Sequence, residues 1–216
     1  MQITHLGHAA VLVEADGSRI LFDPGNFTST WRNLTGLDAI LVTHQHPDHI
    51  DPEHIDALLD ANPDAIVATE RGVLDKVDLG GRAIPLSPGD ELDVGNVHIE
   101  AVGGSHAEIH RDIPRIGNVG LVLTSLGDPT FFHPGDELDA VPEGVDVVAV
   151  PMMGPWAAMK EQIDFLRALG APEGFGIHEG LLSERGWQLA QDRYSSMTPT
   201  RVHDLRGGTP WRPGGR

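Results

Sequence analysis

One arrangement occurs twice along this 216-residue chain and limits its fold more than any other feature. Two short apolar segments joined by a turn run into a Pro-Gly loop, and a continuous apolar run follows. In the first half the segments are Ala9 to Val13 and Arg19 to Phe22, with the turn Ala15-Asp16-Gly17-Ser18; Asp23-Pro24-Gly25 and then Ala39-Ile40-Leu41-Val42 come after. In the second half, Val119 to Thr124 and Thr130 to Phe132 bracket Leu126-Gly127-Asp128-Pro129, followed by His133-Pro134-Gly135 and Val145 to Val150. Such turns between strand-forming residues read as hairpins, and an unbroken apolar run reads as a strand buried on both faces. Two similar β-rich halves packed face to face with helices outside predict an α/β fold, a four-layer αββα sandwich, as one domain over 1–216.

Helices are expected in two places. Asp51-Pro52-Glu53 offers a cap and a proline suited to a first turn, with Ile55, Leu58 and Leu59 on one face and Asn62-Pro63 as the stop. Ala157 to Leu169 keeps Met159, Ile163 and Leu166 at helical spacing. Ala65 to Thr69 reads as another strand, and further short strands flank turns at Ser87-Pro88-Gly89-Asp90 and Gly95-Asn96. The stretch 207–216, rich in Gly, Pro and Arg, is expected to be a flexible tail.

Composition closes off several chemistries. Cysteine is absent, which removes disulfides, thiolate metal sites, iron–sulfur clusters and a cysteine nucleophile. Fifteen Lys plus Arg against 32 Asp plus Glu leave a net charge of -17, so no nucleic-acid partner is expected. The first residues show neither a basic nor an apolar leader region, and no apolar run approaches the roughly 18 residues of a membrane span. A cytoplasmic protein with no membrane partner is therefore the expectation. The anomaly is histidine, with 12 copies unevenly spread.

Four metal-ligand side chains fall within six positions in Thr43-His44-Gln45-His46-Pro47-Asp48-His49, where the apolar strand ends. In an extended segment His44 and His46 project to one side, so two imidazoles can converge on one ion. Pro47 bends the chain, which lets Asp48 and His49 face a neighbouring position. One loop can thus serve two metals about 3.5–4 Å apart. The other reading is a polar turn with solvated histidines.

With these residues the chain resembles the metallo-β-lactamase superfamily, and within it the small metal-dependent hydrolases of the UPF0173 type and the ascorbate-phosphate lactonase. Gly7-His8-Ala9 and Ile20-Leu21-Phe22-Asp23-Pro24 resemble their opening, Thr43 to His49 their metal loop, Gly104-Ser105-His106 their third histidine, Phe132-His133-Pro134-Gly135-Asp136 their bridging-aspartate segment, and Gly176-Ile177-His178 their last ligand. The resemblance implies that His44, His46 and His106 bind one metal, that Asp48, His49 and His178 bind a second, and that Asp136 bridges them. The cofactors it implies are two divalent ions, zinc foremost, with manganese or iron as alternatives. Those hydrolases commonly carry proline two residues before the final histidine, where this chain has Gly176. A glutamate in place of the loop's second histidine marks the di-iron flavoproteins of the fold; His46 points to a hydrolase instead.

The implied reaction is attack by a metal-bridging hydroxide on a small ester, lactone or phosphodiester, with Asp48 as the catalytic residue that orients water and shuttles a proton. Two other readings stay open: a mononuclear iron dioxygenase acting on sulfur compounds, and a metal-stabilised binding module without turnover. Asp23 is either a hydrogen-bond acceptor for a ligand imidazole or a loop cap, and His8 and His133 either touch ligands or substrate or simply support loops. Trp31, Trp156, Phe27, Met152 and Met153 either wall a substrate pocket or pack, and Arg111 and Arg115 either clamp an anionic group or are solvated. Tyr194 is the only tyrosine, so a phenol donor to an oxyanion would come from there. The partner expected is a small-molecule substrate, and since relatives often assemble, the resemblance also implies a homo-oligomer.

Overall fold

The computed structural model describes residues 1–214. Six strands form one sheet in chain order: β1 (Gln2–Gly7), β2 (Ala10–Ala15), β3 (Ser18–Phe22), β4 (Ala39–Val42), β5 (Ile66–Glu70) and β6 (Ala83–Leu86). The second sheet runs in order from β7 (Glu91–Val94) through β8 (Val97–Gly103), β9 (Val119–Thr124), β10 (Phe131–His133), β11 (Val147–Pro151) and β12 (Glu173–Ile177) to β13 (Arg201–His203). Each sheet begins with antiparallel pairs and finishes with parallel ones. The change comes at β3–β4 in the first sheet and at β10–β11 in the second. The recurrence in sequence is thus a recurrence in topology.

Alternation along the strands builds three apolar layers. In β4, Ala39 and Leu41 enter the central core between the sheets, with Phe131, Phe175 and Ile177 from the other sheet. Ile40 and Val42 point outward to a cluster with Trp31 and with Leu58 of helix α1 (Ile55–Ala61). In β11, Val147 and Ala149 face the centre, while Val148 and Val150 lie under Leu166 of α2 (Met159–Leu169) and Trp187 of α3 (Glu184–Met197). These strands carry apolar residues on both faces because both faces are covered, and each buried Leu, Ile or Val stabilises by roughly 1.5–3 kcal/mol. The fold is the expected αββα sandwich.

Three details differ from expectation. The helix after the metal loop begins at Ile55, with His54 rather than Asp51 at its cap. Asp51 is committed elsewhere: it accepts from Glu53 N at 3.0 Å, Arg32 Nη2 at 3.0 Å and His54 Nδ1 at 2.9 Å, which holds a turn before the helix. Strands β1, β12 and β13 and helix α3 add to the pattern read from sequence. The tail is tied at Trp211, which exchanges two 2.8 Å backbone hydrogen bonds with Ile3 of β1 and lays its ring against Phe175 and His203. The last two positions of the expected flexible stretch, 215 and 216, lie outside the described residues.

Candidate metal centre

Strand ends deliver every chemistry-bearing side chain to one edge of the sandwich, the place where α/β folds usually carry their sites. His8 follows β1, Asp23 follows β3 and His44 follows β4; from the other sheet, His106 comes after β8, Asp136 after β10 and His178 after β12. The two sides are joined by His178 N, which donates to His8 O at 3.0 Å. Among the described residues, three of the four non-glycine residues with positive φ stand here: His8 (52°), Asp23 (46°) and His178 (58°). A left-handed backbone costs of order 1–3 kcal/mol at such residues, so packing holds strain where the side chains must be aimed. Close approach matters as well. A Cβ on Gly25 would stand 1.8 Å from Asp48 O, so only glycine lets the loop after β3 lie against the metal loop.

Asp136 sits at the middle. Its Oδ2 is 3.3 Å from His106 Nε2, 3.3 Å from His178 Nε2 and 3.8 Å from His44 Nε2, and its Oδ1 is 3.2 Å from His49 Nε2. Asp48 Oδ2 lies 3.3 Å from His178 Nε2 and 3.9 Å from His49 Nε2. Among the described residues, two groups offer ligand atoms all within 4.8 Å of one another: His44, His46, His106 and Asp136, and His8, Asp48, His49 and His178. Only His46 and Asp48 are less than fully buried, so the centre opens to solvent on their side.

The outer nitrogen of each ring fixes which nitrogen faces inward. His49 Nδ1 donates to Asp23 Oδ2 at 2.7 Å, His106 Nδ1 to Ala107 O at 2.7 Å, and His178 Nδ1 to Met153 O. Thr43 Oγ1 donates to Asp23 Oδ2 at 2.8 Å, which leaves it to accept from His44 Nδ1 at 3.1 Å. All four imidazoles are thereby turned with Nε2 toward Asp136. Buried polar atoms nearly always find partners. Yet His49 Nε2, His106 Nε2, His178 Nε2 and Asp136 Oδ1 are buried with none. Facing nitrogens and carboxylate oxygens left this way are the donor set of a cation bound through N and O.

Ionisation follows the same geometry. Burial opposes charge on Asp136, but His49 and His178 hold its carboxyl well below the usual range. Burial likewise opposes charge on Asp48, and the nearby His178 imidazole together with the hydrogen bond from His8 outweighs it. Against burial, Asp136 raises both His49, with help from Asp23, and His178, the latter to about 9. His44, with burial and then His49 against it, is pushed well below the ordinary imidazole value.

The seven carried-over positions, His44, His46, Asp48, His49, His106, Asp136 and His178, are brought together at this edge, far apart though they are in sequence. Asp23 accepts from His49 and Thr43 rather than capping a loop alone. His8 Nε2 is 2.9 Å from Asp48 Oδ2, and its Nδ1 accepts from Gly180 N at 3.2 Å. With that lone pair used, His8 is a donor to Asp48. His133 stands behind the site, donating from Nε2 to Ala9 O at 3.1 Å and accepting at Nδ1 from Gly135 N at 3.2 Å.

Several expected substrate contacts are corrected. Trp31 is fully buried in the α1 layer, its Nε1 donating to Gly25 O at 2.9 Å, and cannot wall a pocket. Trp156 reaches the centre in another capacity: its Nε1 donates to Asp136 Oδ2 at 2.9 Å. Arg111 is exposed and lies 3.8 Å from Asp112, its solvated reading. Arg115 Nε donates to His106 O at 2.9 Å, so it braces the loop of a candidate ligand. Tyr194 is buried in the α3 layer, its hydroxyl donating to Gln162 Oε1 at 2.6 Å, and burial raises its pKa; it cannot reach an oxyanion at the centre. Met152 is buried in that layer too, the Met153 carbonyl accepts from His178, and Phe27 is half-exposed with its ring 4.6 Å from that of His8. Sequence reading did not assign the part of Thr43, although its place directly before the histidine loop is the signal that could have drawn attention to it.

The family model described as "Beta-lactamase superfamily domain" matches residues 2–172. The chain is 40% identical over 201 residues to the protein Rv0786c of Mycobacterium tuberculosis, covering 93% of this chain and 94% of that one. With a UPF0173 metal-dependent hydrolase of Carboxydothermus hydrogenoformans it shares 33% identity over 171 residues, 71% of this chain and 73% of the other. The solved structure of Igni18, a metallo hydrolase from Ignicoccus hospitalis, covers 98% of each chain with a TM-score of 0.72 at 16% identity, a likeness of fold. No helix among the described residues is long and apolar enough to cross a membrane.

Proposed function

From its membership in the metallo-β-lactamase superfamily, to which this chain belongs as a UPF0173-type protein, we propose that it is a metal-dependent hydrolase holding two divalent cations between its sheets. The observation that carries the reading is the set of buried, partnerless atoms around Asp136: three imidazole nitrogens and a carboxylate oxygen, each a metal donor, facing one another. His44, His46 and His106 would hold one cation and Asp48, His49 and His178 the other, with Asp136 between them. All donors are nitrogen or oxygen, a set that suits zinc foremost and also manganese or iron. When bound, such a pair lowers the pKa of water toward neutrality and polarises a carbonyl or phosphoryl oxygen.

The protein's own groups supply the rest. Asp23, Thr43 and the carbonyls of Ala107 and Met153 hold four imidazoles in one tautomer, so the inward nitrogens stay available. Trp156 anchors the central carboxylate and His8 fixes the rotamer of Asp48. Asp48 is the partly exposed carboxylate at the opening and remains ionised, so it can take a proton from an incoming water and pass it on.

Metal analysis of protein purified without added metal, with assays on chromogenic esters, lactones and phosphodiesters, tests this. Two metals per chain and hydrolysis abolished by His46→Ala or Asp136→Ala are expected. Full activity in the metal-stripped protein overturns the reading, as does a single iron accompanied by oxygen uptake with a persulfide.

A further inference from the structure

We propose that the substrate carries a short apolar acyl arm, seated in a cleft beside His46 and His106, an inference that rests on the hydrolytic reading above. A cleft of about 110 Å³ is lined by Ile109, Ile113, Pro114 and Ile116 on one side and by His46 and His106 on the other. Two of its walls are therefore candidate metal ligands, and one of them, His46, lies at the solvent-open side of the centre. Anything filling the cleft touches the reacting edge, which makes substrate its fitting occupant.

The isoleucine wall is held in place from both ends. His106 N donates to Ile116 O at 3.0 Å, Ala107 N donates to Asp136 O at 2.8 Å, and Arg115 Nε returns to His106 O at 2.9 Å. This pinning keeps the segment from collapsing onto the histidines. Ile113 is 47% exposed at the mouth, and across the centre Phe27, 50% exposed, leans on His8. Burial of either needs an apolar visitor. Arg115 is the one cation among the cleft's lining residues; its Nε donates to His106 O and its Nη2 lies 4.0 Å from Asp139, which offsets its charge. Ile109, Ile113, Pro114 and Ile116 present no polar side-chain atom to a phosphate, so that wall favours an uncharged apolar arm.

The reaction on such a substrate is ester hydrolysis. The water oxygen forms a bond to the acyl carbon, the bond from that carbon to the leaving oxygen breaks, one water proton goes to the departing alkoxide and the other to solvent, and a carboxylate is released. At a water's share of about 30 Å³ each, the cleft holds roughly three to four methylene-sized groups. KM should therefore fall about fourfold per added methylene until the cleft is full.

The test uses metal-loaded protein with 4-nitrophenyl acetate, butyrate and hexanoate, alongside bis(4-nitrophenyl) phosphate. Selectivity, as the ratio of kcat/KM for butyrate over acetate, is expected to reach about fifteenfold and then level off toward hexanoate. Ile113→Asp should cut that ratio at least fivefold, and Ile116→Ala, which enlarges the cleft, should move the preferred chain toward hexanoate; melting curves and metal content verify that both variants fold. In parallel, isoleucine methyl NMR spectra of the metal-free protein are recorded with butyrate and hexanoate. Turnover with no dependence on acyl length, or a phosphate diester as the only substrate, overturns the acyl cleft and leaves the hydrolytic reading standing. Shifted methyl signals of Ile109, Ile113 and Ile116 without turnover of any ester, lactone or phosphodiester support the cleft and overturn the hydrolytic reading. Neither shifts nor turnover overturns both.

Discussion

Burial alone would leave His178 neutral, yet the Asp136 carboxylate raises it to about 9. In the metal-free protein it keeps a proton that the unfolded chain, with a histidine value of 6.5, has already lost. Its contribution to stability is fully present below pH 6.5 and disappears as pH rises through about 9. His133 has the opposite sign: burial lowers its pKa, and its two hydrogen bonds suit a neutral ring, so its contribution is present above 6.5 and is lost as pH falls. The thermal midpoint of chelated protein should thus peak near neutrality and decline on both sides; a flat profile from pH 5 to 9.5 contradicts these assignments. A cation binding at Nε2 displaces the His178 proton, so loading near pH 7.5 should release about one to two protons per chain. Binding heats measured in buffers of different ionisation enthalpy read that release, and zero release removes His178 from the ligand set. Trp156→Phe keeps most of the ring volume but drops the bond to Asp136, and metal affinity measured against a competing chelator should fall about 10–100-fold. At this scale the loop Thr43 to His49 was legible because its spacing is local, whereas the split between Trp31 and Trp156 was not. Both follow strand ends in sequence, and only tertiary contacts decide that one packs on α1 while the other reaches a carboxylate.

Among the elements, strands with two apolar faces announced themselves, and helix α3 did not. Its buried residues, Trp187, Ala190 and Tyr194, do keep helical spacing, but polar and charged neighbours dilute the stripe. Trp187 also explains the departure at Gly176. A Cβ there would stand 2.2 Å from the Trp187 ring, so glycine in β12 is what lets α3 press against the sheet beneath the His178 turn. The displaced start of α1 has a comparable cause, since an aspartate that reads as a cap from sequence is captured by Arg32 and His54. Contact between loops gives the test at this level. Gly25→Ala would drive a methyl into the Asp48 carbonyl, and an overpacked site of this kind costs about 1–3 kcal/mol or more. A melting temperature lowered by several degrees together with weakened metal retention is expected; loss of stability with unchanged metal content would separate this loop from the centre.

For the whole molecule, the candidate ligands are shared between sheets: His44, His46, Asp48 and His49 on one, His106, Asp136 and His178 on the other. Cations held there bind the native state and not the unfolded chain, so they raise stability in proportion to the logarithm of their concentration over Kd. Chelation should lower the melting temperature and speed amide exchange first around 44–49, 106, 136 and 178, with the central core between the sheets protected until global unfolding. Uniform loss of protection would show that the sheets are not clasped at this edge. At the opposite extreme of the chain, Trp211 gives β1 its second neighbour, pairing with Ile3 while its ring touches β12 and β13. During synthesis that strand leaves the ribosome well ahead of Trp211 and must wait with one side unzipped until its partner has followed, and a chain shortened ahead of Trp211 would offer the same raw hem to any passing strand.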